Sequence, residues 1–340
     1  MTQLNYREIL QAVISRGHLS REQTHAAFDE IMEGLWSEAQ IAGLLTALAA
    51  KGETPDEIAG AAQAMREHAV RIDTGGLDVI DTCGTGGTGL NTFNVSTAAA
   101  MVVAGAGVKV AKHGNRTSTR TSGSADVLSA LGVNIDAPPE TAARCLREAN
   151  VCFCFAVRCH PAMRYAAPVR KSLAVRTIFN VLGPLTNPAG ARRQLMGVFS
   201  AELTETIARV LGLLGAERAM VIHAEDGLDE ISITSPTRVS EWSDGKVHTL
   251  TISPEDFQLK RGKLEDLAVS SPEESAETIR NVLAGREGPA RDMVLLNSSA
   301  ALAVAGLAKD IAEAMPTARE SLDSGAAADA LRKLVTLSNE

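Results

Sequence analysis

Aromatic residues are scarce in this 340-residue chain: two Trp, two Tyr and seven Phe, 3% in all. That scarcity speaks against stacked-base platforms for single-stranded nucleic acid. Positive charge is also in deficit. The 33 Lys and Arg against 41 Asp and Glu leave a net charge of −8, the wrong sign for a surface that neutralises a phosphate backbone. No apolar run reaches the ~18–20 residues of a membrane span; the best candidate, Val95–Val110, is interrupted by Gly105 and Gly107. Met1–Tyr6 leads straight into an amphipathic stretch with Arg7 and Glu8 instead of a secretory leader. The five cysteines, Cys83, Cys145, Cys152, Cys154 and Cys159, are an odd number, which favours reduced thiols. Together these features predict a cytoplasmic chain.

What is present is an ordinary globular balance, 45% apolar and 22% charged, in a length that suits two domains. The first seventy or so residues read as helices only. An opening segment Tyr6–Arg16 is followed by three capping boxes, Ser20–Gln23, Ser37–Gln40 and Thr54–Glu57, each ahead of an apolar-periodic run. Asp73-Thr-Gly-Gly76 breaks that pattern. Beyond it, short apolar runs at Leu77–Asp81, Val108–Ala111, Val151–Val157, Gln194–Ser200 and Arg218–Ala224 alternate with helical stretches. That alternation predicts an α/β domain with a mainly parallel central sheet flanked by helices. Ser240–Ser253 reads as a hairpin turned at Asp244-Gly245, and the tail from Ser271 returns to helices. The expected division is a small helical domain, 1–73, joined by helices from about 161–182, and an α/β domain, 74–340.

Chemistry concentrates in four places. Gly84-Thr-Gly-Gly-Thr-Gly89 satisfies the dinucleotide pattern G-x-G-x-x-G. No acid follows about 20 residues on for a ribose hydroxyl, and no Lys-Ser/Thr follows as in a Walker loop. A glycine turn that aims backbone N–H groups at an anion remains, with Asn91, Thr92, Asn94, Ser96 and Thr97 as added donors near a helix start. From Thr82 to Ala125, 44 residues contain no Asp or Glu, where average density predicts roughly five. A second acid-free stretch, Ala149–Ala201, holds Arg158, Arg164, Arg170, Lys171, Arg176, Arg192 and Arg193. Two positive stretches in an acidic protein suit an anionic ligand.

The third place is Lys112-His-Gly-Asn-Arg116, followed by hydroxyls at Thr117, Ser118, Thr119, Thr121, Ser122 and Ser124. It lies just past a strand end, where open α/β sheets bind ligands. The fourth is Asp226-Gly-Leu-Asp-Glu230, whose adjacent carboxylates suit Mg²⁺ shared with substrate phosphate. Cys152-Phe-Cys154 with Cys159-His160 offers a metal reading too, but alternation along a buried strand favours core cysteines.

These motifs resemble those of the anthranilate phosphoribosyltransferase family. The resemblance rests on Gly84–Gly89, Asn94–Thr97, Lys112–Arg116, Ser122–Asp126, His160–Met163, Val169–Lys171, Arg176–Pro188 and Asp226–Glu230, and covers nearly the whole chain. It implies a fold of the nucleoside-phosphorylase type, a hinge to the helical domain, a homodimer and a role in tryptophan biosynthesis. It further implies that Gly84, Gly87, Thr88, Thr92, Asn94, Val95, Ser96, Thr97, Lys112, His113, Gly114, Asn115, Arg116, Thr117, Ser118, Thr119, Arg120 and Ser124 hold 5-phosphoribosyl 1-diphosphate. Lys112 and Arg116 would act in catalysis, and Ser96, Asp229 and Glu230 would ligate Mg²⁺. Anthranilate would meet Gly84, His113, Asn115, His160, Arg170, Gly183 and Pro184.

The sequence departs from the family pattern at two places. Thr88 stands where Asp is usual, and Thr119-Arg120 replaces a serine pair. They leave open a paralogue that uses another aromatic acceptor. A pyrimidine nucleoside phosphorylase of related fold is a rival, as is a non-catalytic paralogue that binds nucleic acid. The first has no use for an acceptor-carboxylate pocket at His160 and Arg170, and the second has no use for Asp229 and Glu230. The expected partners are small-molecule substrates, with neither nucleic acid nor membrane.

Overall fold

The computed structural model describes residues 5–116 and 121–340. The three capping boxes all close. Ser20, Ser37 and Thr54 each accept the backbone N–H three residues on, and Gln23, Gln40 and Glu57 reach back in return. They start α2 (Arg21–Met32), α3 (Glu38–Lys51) and α4 (Pro55–Glu67), which follow α1 (Tyr6–Ile14). Glu57 does more than cap. It is buried, accepts Leu19 N–H at 3.0 Å and pairs with Lys51 at 2.8 Å. Gly60 lets α4 lie against the start of α2, where a Cβ would stand 2.3 Å from the Arg21 carbonyl oxygen.

Seven strands form one sheet in the order β3-β2-β1-β4-β5-β6-β7. They are β1 (Ile80–Asp81), β2 (Val110–Gly114), β3 (Val151–Phe155), β4 (Arg193–Gly197), β5 (Arg218–Ala224), β6 (Thr237–Ser243) and β7 (Lys246–Ile252). The first five are parallel, and β6–β7 is an antiparallel hairpin. Its turn is Asp244-Gly245, both with positive φ (51° and 76°), as a two-residue hairpin turn demands. Chain order reverses between β1 and β4, the switch point where the carboxyl ends of a parallel sheet open a crevice.

Several boundaries move from those the sequence predicts. β2 runs three residues further, because Lys112, His113 and Gly114 pair with Phe153, Cys154 and Phe155 of β3. β3 stops at Phe155, where the chain turns into α8 (Ala156–Cys159). The expected first strand shrinks to two residues.

Between the strands lie α5 (Val95–Gly105), α6 (Ser124–Ala130), α7 (Pro139–Ala149), α9 (Ala167–Leu173), α10 (Phe179–Leu182) and α11 (Leu203–Leu213). After the sheet come α12 (Pro272–Leu283), α13 (Pro289–Ala305), α14 (Ile311–Asp323) and α15 (Ala326–Ser338). Alternation along β4 and β5 divides the core. Leu195, Met220 and Ile222 face one cluster with α5, α7 and α12–α15. Met196, Ala219 and Val221 face another with α11, the first four helices and residues of α9–α10. All five cysteines are free and buried. Among the described residues no helix is long and apolar enough to cross a membrane.

Candidate functional site

The floor of the site is set by the ends of β1 and β2. Asp81 is fully buried. Its Oδ1 accepts His113 N–H at 3.1 Å, while Oδ2 accepts Asn187 Nδ2 at 2.8 Å and Cys83 Sγ at 3.2 Å. Burial pushes this carboxyl up, against the pull of Lys112 and these donors. Lys112 is only 1% exposed, an expensive position for a cation. Its Nζ donates to Thr82 O at 2.7 Å and Ser96 Oγ at 3.2 Å. Burial draws its pKa down, and the nearby Asp81 charge opposes that.

The glycine loop sits over this floor. Thr85 N–H donates to Gly197 O at 2.9 Å, and Gly86 N–H to Asp229 Oδ2 at 2.9 Å. Close approach dictates the glycines here. A Cβ on Gly84 would lie 2.7 Å from Asp229 Oδ2, and one on Gly197 only 1.7 Å from Asp229 O. Gly197 was legible only as a strand residue, because its neighbour is a loop that follows the next strand.

At the start of α5, Asn94 occupies the N-cap without capping by its side chain. Its amide oxygen instead accepts Ser122 Oγ at 2.7 Å and Ser275 Oγ at 2.8 Å, tying the helix to two distant segments. Glu230 Oε1 accepts Ser96 N–H at 3.2 Å. Buried Asn297 on α13 fixes the next residue from both sides. Its Oδ1 accepts Ile231 N–H at 2.9 Å and its Nδ2 donates to Ile231 O at 2.8 Å. Asp226 faces its own loop, accepting Ser232 Oγ at 2.6 Å and Leu228 N–H at 3.2 Å.

A cleft of about 210 Å³ opens among these groups. Of the expected residues it brings together Gly84, Gly87, Asn94, Ser96, Lys112, His113, Gly114, Asn115, Arg116, Ser124, Asp229 and Glu230. Arg116 is held at its edge by Asp126 at 2.9 Å and lies 6.0 Å from the Phe155 ring centre. Cys83, Phe93 and Ser122 join the lining, as do Thr85, Gly86 and Gly123. Val95 and Thr97 are buried in α5 behind it, and Thr92 is buried where the chain bridges to Ala268. Thr88 Oγ1 accepts Leu90 N–H at 3.4 Å within the loop. Thr117, Ser118, Thr119 and Arg120 lie outside the described residues.

Of the residues expected on the acceptor side, His160, Arg170, Gly183 and Pro184 do not line this cleft. His113 and His160 face each other across 3.2 Å, Nε2 to Nε2. Burial pulls His113 down to about 3, helped by His160, and His160 down to about 4. Thr186 Oγ1 lies 3.5 Å from the same His160 nitrogen. Arg170, on α9, stands 5.3 Å from the Phe179 ring centre, and burial lowers its pKa. Pro184 O accepts Gln194 Nε2 at 2.7 Å, which links this segment to β4. Asp81, Asn187 and Asn297 escaped sequence reasoning because their roles depend on partners far away in the chain.

The donor set fits a hard cation. Asp229, Glu230 and Ser96 place only oxygen on the cleft. Among the described residues no group of three or more His, Cys, Asp or Glu is arranged to hold a metal. Two carboxylates and a hydroxyl leave coordination positions for water and ligand oxygen, the mode of Mg²⁺ rather than of a closed zinc site.

Comparison with known proteins agrees. The glycosyl transferase family a/b domain matches residues 76–328, and the helical bundle domain of the glycosyl transferase family matches residues 7–69. An anthranilate phosphoribosyltransferase of Thioalkalivibrio sulfidiphilus is 51% identical over 333 residues, covering 98% of both chains. The crystal structure of the Thermus thermophilus anthranilate phosphoribosyltransferase superimposes with a TM-score of 0.93 at 43% identity, covering 98% of this chain and 99% of that one. The Saccharomyces cerevisiae enzyme in complex with PRPP and Mg gives a TM-score of 0.88 at 29% identity, with 98% of each chain covered.

Proposed function

The chain belongs to the anthranilate phosphoribosyltransferase family, and we propose that it carries out that family's reaction. It transfers the 5-phosphoribosyl group of 5-phosphoribosyl 1-diphosphate to the amine of anthranilate, giving N-(5-phosphoribosyl)anthranilate and diphosphate in tryptophan biosynthesis. The observation that carries this reading is the convergence of the glycine loop, buried Lys112 and the Asp229–Glu230 pair on one cleft.

The division of labour follows from the groups present. Bond breaking at ribose C1 moves negative charge onto the leaving diphosphate, so groups that receive that charge lower the barrier. Lys112, Arg116 and the backbone N–H groups of the glycine loop do so. Ser96, Asp229 and Glu230 would hold Mg²⁺, which would supply further charge neutralisation. An aniline-type amine carries a free lone pair at neutral pH, so positioning replaces a strong general base. Arg170 takes the acceptor carboxylate by a forked pair; its half-buried guanidinium rests over the Phe179 ring. His113, His160, Gly183 and Pro184 line the acceptor's approach, with Asn115 between the two substrates.

We divide the chain into a helical domain, 1–73, and an α/β domain, 74–340, with 161–182 joining the first. The packing of Ala166, Val169, Ile178 and Phe179 with the first four helices supports this. We further place the protein in the cytoplasm as a homodimer that acts on small molecules alone; Ile14 and Leu35, each 60% exposed on the helical domain, suit a subunit contact.

An acceptor panel tests the reading. With 5-phosphoribosyl 1-diphosphate and Mg²⁺, anthranilate should turn over, while 3- and 4-aminobenzoate should be much poorer because their carboxylate and amine cannot meet Arg170 and C1 together. Preference for another aminobenzoate would point to the paralogue with a different acceptor.

A further inference from the structure

The acid-free stretch 149–201 carries seven basic side chains, and the reaction as described uses only Arg170. Arg176 lies between α9 and α10, six residues beyond Arg170, and reaches across to the donor side. Its Nη2 donates to Gly87 O at 2.8 Å, and its guanidinium lies 4.3 Å from the ring centre of Phe199. The stacked ring holds the guanidinium plane and lets its donors face one direction.

Gly87 needs such a tie. Gly86 and Gly87 have φ of 63° and 76°, a left-handed backbone without side chains to fix it. On the sheet side the loop is fastened by Thr85 N–H to Gly197 O and Gly86 N–H to the Asp229 carboxylate. The Arg176 contact comes instead from the segment that bears Arg170 and continues to Gly183 and Pro184. Gly87 lines the cleft and Arg176 does not. Because the peptide is trans, pointing Gly87 O at Arg176 turns the following N–H the opposite way. The tie therefore sets how this part of the loop presents itself to an anion.

We propose that Arg176 is a positioning residue for the donor, holding the glycine loop in its diphosphate-binding shape by tying Gly87 to the segment that carries the acceptor site. The proposal rests on the functional reading above, and it acts through the loop alone, so Arg176 touches neither reacting atom.

The test compares the wild-type chain with R176Q, R176K and F199A. Loss of one charged hydrogen bond predicts that R176Q raises the donor KM about tenfold, with kcat and the acceptor KM changed far less. R176K should recover part of the donor KM, since it keeps a donor but loses the stack. F199A should raise the donor KM too, and the double variant should be less than additive, because both changes break one contact. Calorimetric binding of diphosphate with Mg²⁺ should weaken in parallel. A merely structural role would instead lower kcat and raise both KM values together. A donor KM and diphosphate affinity within about twofold of wild type in R176Q, with normal thermal unfolding, would overturn the proposal. Should the wild-type chain bind diphosphate without turning anthranilate over, the functional reading fails while the binding comparison still decides the role of Arg176.

Discussion

His113 and His160 meet at 3.2 Å in a pocket that strips both of water. Two adjacent protonated rings would repel there, so both stay neutral, with one ring donating to the other. Their folded pKa values, about 3 and about 4, lie below the value near 6.5 of a free imidazole. Between those limits the unfolded chain binds more protons than the folded one. The stabilisation is therefore complete above about pH 6.5 and is lost as pH falls toward 4 for His160 and toward 3 for His113, by up to about 1.4 kcal/mol per pH unit for each ring. Denaturant unfolding at pH 7 and pH 5 should show this loss, and the imidazole NMR signals of His113 and His160 in the folded protein should not show a midpoint between those pH values. A shift of either ring near pH 6.5 would contradict the buried neutral pair. Lys112 presents the opposite problem, a cation kept inside by the carbonyl of Thr82, the Ser96 hydroxyl and the neighbouring Asp81 charge.

Elements meet at contacts that leave no room for a side chain. The end of β4 and the loop after β5 cross at Gly197, where a Cβ would overlap the Asp229 backbone at 1.7 Å. Backbone cannot swing aside as a flexible side chain does, so Gly197→Ala must displace Asp229. We expect a stability loss of about 1–3 kcal/mol and a higher Mg²⁺ concentration for half-maximal turnover; an unchanged Mg²⁺ titration would separate Asp229 from the metal. This contact also marks where sequence reasoning ends. The capping boxes at Ser20, Ser37 and Thr54 and the Asp244-Gly245 turn are local, with every partner within three residues, and they were readable directly. So was the alternation that gives the parallel sheet. The extension of β2 through Gly114 depends on β3, and the tasks of Asp81, Asn187 and Asn297 depend on segments tens of residues away. Lys112 and Arg116 stood out because their stretch carries cations without acids, and Asp229 and Glu230 because they are adjacent carboxylates, yet their sharing of one cleft needed the fold.

At the scale of the whole molecule, two cores lie on opposite sides of β4 and β5, and the helical domain shares one of them. Arg66 and Arg21 strengthen that union. Arg66 donates to Leu185 O at 2.6 Å and Leu214 O at 3.2 Å, and Arg21 to Leu213 O at 3.0 Å, placing cations at the carboxyl end of α11. Burial, with Arg21 close by, lowers Arg66 to about 10. The segment that bears Arg170 thus packs with the helical domain, while the glycine loop, Lys112 and the carboxylates sit on the sheet. The cleft opens on the sheet side, and His113 on its lining reaches the other segment through His160. The decisive measurement is the fluorescence of anthranilate mixed with the purified chain, with 5-phosphoribosyl 1-diphosphate and Mg²⁺ supplied together or singly. The account predicts decay of the signal only when both are present, with release of diphosphate in equal amount; a signal that persists with both, or decays without the phosphoribosyl donor, would contradict it.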